Sequence, residues 1–143
     1  MAKVFFHPDI NYQGIKKIEA QYNSKKKDIL IDKAAKSITD EIIKFIDSEN
    51  TILIVCGPGS NGLDGLFIAR RLCEKKYNLN ILMIRNNSHK DYIRKYNLLN
   101  IITDSNINFN NYDYIIDCLF GYGLNRELNN NDIALVNSIN KSK

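Results

Sequence analysis

At 143 residues the chain suits one domain with a real core, and 44% hydrophobic and 25% charged residues are ordinary for a soluble globular protein. A net charge of +4, from 20 Lys+Arg and 16 Asp+Glu spread along the chain, argues against a nucleic-acid binder; the one dense run, Lys25-Lys26-Lys27, has no interleaved aromatics and reads as a solvated loop. No apolar stretch approaches the ~20 residues of a membrane span, and the opening Met1–Asp9 segment is too short for a secretory signal, so a cytoplasmic protein without membrane partners is expected. Cys56, Cys73 and Cys118 are odd in number and lack metal-type spacing, which reads as buried, reduced thiols.

Residues up to about Pro8 read as an unstructured start. Ile15, Ile18 and Tyr22 share a helical face over Asn11–Asn23, and Ser24–Asp28 is a polar break. A longer helix is predicted from about Ile29 to Asp47, with Leu30, Ala34, Ala35, Ile38, Ile42, Phe45 and Ile46 at three- and four-residue steps. Thr51–Cys56 is a short apolar run bounded by turn signals, hence a buried strand. Gly57, Gly59, Gly62 and Gly65 follow it, with a helix from about Gly65 to Lys76. A second strand over Leu79–Ile84, a helix over His89–Leu99 with Tyr92, Ile93, Tyr96 and Leu99 inward, and a very short strand at Ile101–Thr103 come next. After an Asn-rich loop, Tyr112–Cys118 is the fourth strand, Asn129–Asp132 a helix cap, and Ile133–Ile139 the last helix.

Alternating strands and helices imply an α/β fold: a Rossmann-like three-layer sandwich around a mostly parallel sheet, one domain over residues 1–143. By analogy the four strands take the order 3-2-1-4, with right-handed crossovers. Ligands then bind beyond the carboxyl ends of the first and fourth strands, where the glycine loop and the residues after Asp117 should face each other.

Gly57-x-Gly59-x-x-Gly62 satisfies a dinucleotide fingerprint between a strand and a helix. Two details depart from ordinary NAD binding. The second strand closes on Arg85-Asn86-Asn87 rather than on an acid, and Asp64 stands where a pyrophosphate would lie. Asp64 is equally readable as an N-cap, and Asn61 as a left-handed turn residue. Asp117 closes a strand that otherwise reads as buried. It either caps a backbone N–H or, with the Asn61 side-chain oxygen, ligates a hard cation. His7 and His89 are assigned no chemistry.

The two segments CGPGSNGLDG (residues 56–65) and DCLFGYGLNR (residues 117–126) together resemble the motifs CGPGNNGGDG and DALFGTGLNR of the NAD(P)H-hydrate epimerase family, the YjeF N-terminal domain. The resemblance implies an isomerase that interconverts the R and S forms of NAD(P)HX in nicotinamide cofactor repair. It implies a bound potassium ion with Asn61 and Asp117 as ligands. It also implies substrate contacts from Ser60, Asn61, Gly62, Leu63 and Asp64, and from Gly121, Tyr122, Gly123, Leu124, Asn125, Arg126 and Glu127. Arg126 then suits a phosphate or ribose group; alternatively it is a solvent-exposed arginine on a flexible loop.

Ser60 stands where the family has Asn, a mild change that keeps a polar group. Leu63 stands where the family has Gly, which costs about 1 kcal/mol or more if the backbone there needs positive φ. The family continues into a strand bearing Asp-x-Pro-Ser-Gly, whose Asp is the candidate catalytic residue and whose Ser completes the potassium site. This sequence has no such motif after Ile139. Truncation is therefore expected to leave the fourth strand as an open edge, to lower monomer stability and to favour a homodimer or a complementing polypeptide. A non-catalytic binding or dimerisation domain is the alternative function.

Overall fold

The computed structural model describes residues 2–4, 24–85, 89–104 and 106–142. Its strands are β1 (Ala2–Val4), β2 (Thr51–Cys56), β3 (Asn78–Met83), β4 (Ile101–Ile102) and β5 (Tyr114–Cys118). They form one parallel sheet in the order β1-β5-β2-β3-β4. Without β1, this is the 3-2-1-4 order expected from the sequence, with its reversal between β2 and β5. β2 pairs on both sides, and Ile52 through Cys56 are buried. A strand covered on both faces cannot alternate with polar residues, which is why β2 reads as an unbroken apolar run.

The helices are α1 (Ser24–Ile42), α2 (Ser60–Glu74), α3 (Lys90–Lys95) and α4 (Asn130–Lys141). Successive strand residues point to opposite faces and so feed two cores. On one face Ile52, Ile54, Cys56, Ile81 and Met83 pack with Ala35 and Ile42 of α1 and Leu66, Phe67 and Leu72 of α2, with Tyr92 and Ile93 of α3 half-buried beside them. On the other, Leu53, Val55, Leu82 and Ile115 meet Leu135 and Ile139 of α4 and Phe109 of a 3-10 turn, Phe109–Asn111. Asp32 of α1 pairs with Arg70 and, at 2.7 Å, with Arg71 of α2, and the Arg70 guanidinium lies 4.6 Å over the Tyr96 ring.

Several sequence expectations are corrected. Ala2–Val4 is a strand, not an unstructured start: Ala2, Lys3 and Val4 pair with Tyr114, Ile115 and Ile116. Three residues are too few for a periodic signal. The β5 edge expected to be open is thus paired over these residues, which removes the reason given for a second chain adding there. α1 begins at Ser24, so the lysine run lies in its first turn rather than in a loop. Its inward stripe is Ala35, Ile38, Thr39, Ile42, continued by Ile46 beyond the helix end; Leu30, Ala34 and Phe45 face outward, Phe45 being 76% exposed. On the same face of the sheet, α3 stops at Lys95 and Asn97 takes φ 48°, so Leu98 is buried and Leu99 exposed, the reverse of the helical reading. Cys56 and Cys118 are buried free thiols as read, but Cys73 is exposed. The helix expected over Asn11–Asn23 lies outside the described residues.

Candidate functional site

Only Gly57, Pro58 and Gly59 separate β2 from α2, because the helix starts at Ser60, five residues earlier than the pattern suggested. Ser60, Asn61, Gly62, Leu63 and Asp64 therefore form the start of α2, above the carboxyl end of the sheet. Gly59 is the N-cap, with no side-chain cap bond, so Asp64 is not the capping residue. Neither Asn61 nor Leu63 is among the positive-φ residues, so Asn61 is no left-handed turn and the strain anticipated for Leu63 is absent. Leu63 instead packs half-buried against the α2-side core.

Glycine is needed here for close approach rather than for unusual dihedrals. A Cβ on Gly57 would sit 1.9 Å from the Leu119 carbonyl oxygen, and one on Gly62 would sit 1.8 Å from the Gly57 carbonyl oxygen. On Gly65 it would meet Cys56 Sγ and Cys118 Cβ at 2.8 Å. The start of α2 is pressed onto both β2 and β5.

The second motif meets the first at this point. Gly57 N–H donates to Cys118 O at 3.1 Å, and Asn61 Nδ2 donates to Phe120 O at 3.1 Å. Gly121 lies against Asn61, where a Cβ would come within 3.1 Å of the Asn61 Cβ. Half-buried Asp117 accepts the Leu119 N–H through Oδ1 at 2.9 Å, the local capping role foreseen for it. The Asn61 bond uses the amide nitrogen, and the Asp117 bond uses one of two carboxylate oxygens. Each side chain thus keeps an oxygen outside these contacts, and oxygen donors are what a potassium ion takes. Burial, followed by the nearby Asp117 and Asp64 carboxylates, pushes the Cys118 thiol up to about 12; Cys56 is also raised, by burial and then by Cys118. Both thiols stay neutral. The oxygen donors of Asn61 and Asp117 fit the ion that the family resemblance implies.

Ile84 and His89, after β3, also border the glycine loop. Ile84 N–H donates to Cys56 O at 2.9 Å, Arg85 turns the chain with φ 59°, and His89 Nε2 lies 3.2 Å from Gly59 O. His89, given no role from sequence, therefore abuts the glycine loop. The available signal was topological: it follows a strand whose carboxyl end borders the crevice.

Residues 121–127 are exposed, with one turn bond from Leu124 N–H to Gly121 O at 3.1 Å. Tyr122, Gly123, Leu124, Asn125 and Glu127 lie in this exposed segment. Arg126 is not a lone exposed arginine: Nη1 lies 2.8 Å from Asp132 Oδ2 and donates to Glu127 O at 2.8 Å. Asp132 belongs to the expected cap, a capping box in which Asn129 Oδ1 accepts the Asp132 N–H and Asp132 Oδ2 accepts the Asn129 N–H. Arg85 Nη2 reaches both Asp132 oxygens at 3.1 Å. Burial alone would raise this carboxyl, but the Arg126 hydrogen bond, the Asn129 N–H and the charge of Arg85 outweigh it and hold it below the ordinary aspartate value. Sequence reading missed Asp132 as a tether because its partners lie on other elements.

A parallel sheet with a glycine-led helix over its carboxyl end, and a second strand-end loop packed onto that helix, defines a Rossmann-like α/β protein, a class whose ligands bind where the strand order reverses. The chain belongs to the family described as "YjeF-related protein N-terminus", whose model matches residues 27–143. It is 30% identical over 122 residues to the NAD(P)H-hydrate epimerase of Lentilactobacillus buchneri, covering 80% of this chain and 56% of that protein. It is 34% identical over 109 residues to the protein of that name from Leuconostoc kimchii, covering 71% and 47%. The chain thus spans about half the length of these curated relatives. The crystal structure of yeast ynu0 shares the fold, with a TM-score of 0.66 at 20% identity over 85% of this chain and 57% of that one.

Proposed function

We propose that the chain acts as an NAD(P)H-hydrate epimerase, interconverting the R and S forms of NAD(P)HX. The observation that carries this reading is the junction of the two motifs, where Asn61 bonds Phe120 O and lies against Gly121. The names of the matched relatives support the same chemistry. Asn61 and Asp117 would hold potassium. A bound potassium ion would offset the Asp117 charge and offer an electrophilic anchor to a substrate oxygen. Backbone N–H groups at the start of α2 point out of the helix end and can donate to the substrate. Ser60 through Asp64 would line one side of it, and Gly121 through Glu127 would close over the other.

Incubation with R-NADPHX, following the S form, tests the activity; a rate equal to that in buffer would sink it. Among the described residues, no helix is long and apolar enough to cross a membrane. We place the protein in the cytoplasm, in keeping with the unpaired thiols of Cys56 and Cys118. Pairing with a second copy follows from the family resemblance alone, and sedimentation at micromolar concentration decides it.

A further inference from the structure

Arg85 follows β3, the strand beside β2 on the side away from β5. In a doubly wound sheet the region after this strand reads the ribose of a dinucleotide: an acid holds a free 2′-hydroxyl, and an arginine accommodates a 2′-phosphate. Backbone contacts of its neighbours place Arg85 close to the glycine loop. Its neighbour Ile84 bonds Cys56 O at 2.9 Å, immediately before the glycine loop, and His89 returns to Gly59 O at 3.2 Å. The side chain then links the end of β3 to the N-terminus of α4.

A single nitrogen, Nη2, serves both Asp132 oxygens at 3.1 Å, so the opposite edge of the guanidinium is not committed to Asp132. Arg126 uses Nη1 on the same carboxylate at 2.8 Å. The side chains of Arg85 and Arg126 are 44% and 38% exposed, whereas that of Asp132 is 4% exposed. One carboxylate cannot neutralise two guanidiniums, so the cluster keeps a net positive charge. A phosphate can therefore take donors from both arginines without breaking their contacts to Asp132.

We propose that Arg85, with Arg126, receives the 2′-phosphate of the hydrated dinucleotide, so that Arg85 makes the chain favour NADPHX over NADHX. This rests on the crevice being a nicotinamide dinucleotide site. The test is calorimetric binding of adenosine 2′,5′-bisphosphate and of adenosine 5′-monophosphate to the whole chain and to its R85Q and R85K variants. The chain should prefer the bisphosphate by about tenfold or more, one charge-assisted contact's worth. R85Q should bring the ratio close to one. R85K, which keeps the charge toward Asp132 but loses the planar fork, should give an intermediate ratio and serves if R85Q does not fold. Equal affinity for the two probes, including no binding of either, overturns the proposal, as does a preference that both variants leave unchanged. Parallel epimerisation assays separate the two readings. A 2′-phosphate preference without epimerisation removes the epimerase reading and keeps the Arg85 assignment. Epimerisation with equal kcat/KM for both substrates does the opposite.

Discussion

The two loops that meet beyond the carboxyl ends of β2 and β5 are built on opposite terms. The β2–α2 turn is a steric jig: Gly57, Gly62 and Gly65 face backbone or core atoms at distances no Cβ tolerates, and the helix above it starts at once. The β5–α4 segment is exposed from Gly121 to Glu127, and a Cβ on Gly123 would meet nothing within 4 Å. It is held near its ends, by Asn61 on Phe120 O and by Asp132 on Arg126. Equally recognisable motifs thus do different physical work. One sets a close-packed floor, and the other is an exposed segment fixed at Phe120 and at Arg126.

The same substitution in both loops breaks this comparison most sharply. Gly62→Ala drives a Cβ into a carbonyl oxygen at 1.8 Å, and should cost at least about 3 kcal/mol in urea denaturation or prevent folding outright. A well-folded variant of ordinary stability would mean that the jig yields.

Next in size is Asp132→Ala, which removes the α4 capping box and both arginine contacts. About 2 kcal/mol should be lost. The Asp132 carboxyl is held below its ordinary value in the folded chain, so its contribution is complete above the unfolded aspartate value of about 3.9 and fades as pH falls through the lowered folded value. The stability gap between the parent chain and the variant should therefore narrow on acidification; a gap that does not narrow contradicts the tether.

Asn61→Ala cuts the junction itself and should cost about 1 kcal/mol. It should also abolish the rise in melting temperature produced by potassium chloride over sodium chloride at matched ionic strength. An equal rise in the variant would remove Asn61 from the proposed cation site. The smallest effect belongs to Gly123→Ala, within about 0.5 kcal/mol by denaturation, because its Cβ enters open space.

Much of the architecture was legible because its signals are local. Thr51–Cys56 is the strand the apolar run indicated, Asn129 and Asp132 form the cap their spacing suggested, and the four predicted strands take the expected order. The start of α2 was misplaced because glycines within it imitate a loop, although the helix is stabilised by what it packs on. β1 went unseen because three residues carry no period and become a strand only beside β5.

By itself, the sequence determined the α/β class, the glycine turn and the pairing of two motifs, since apolar period and turn chemistry act over a few residues. Tertiary structure alone decided why those glycines are needed, where Asn61 finds its partner and what Arg85 touches. Asn61 and Phe120 are 59 residues apart, and Arg85 and Asp132 are 47 apart. Contacts at such separations leave no periodic trace in the chain. They exist because parallel strands gather their carboxyl ends at one edge of the sheet, where side chains from distant loops come within hydrogen-bond reach.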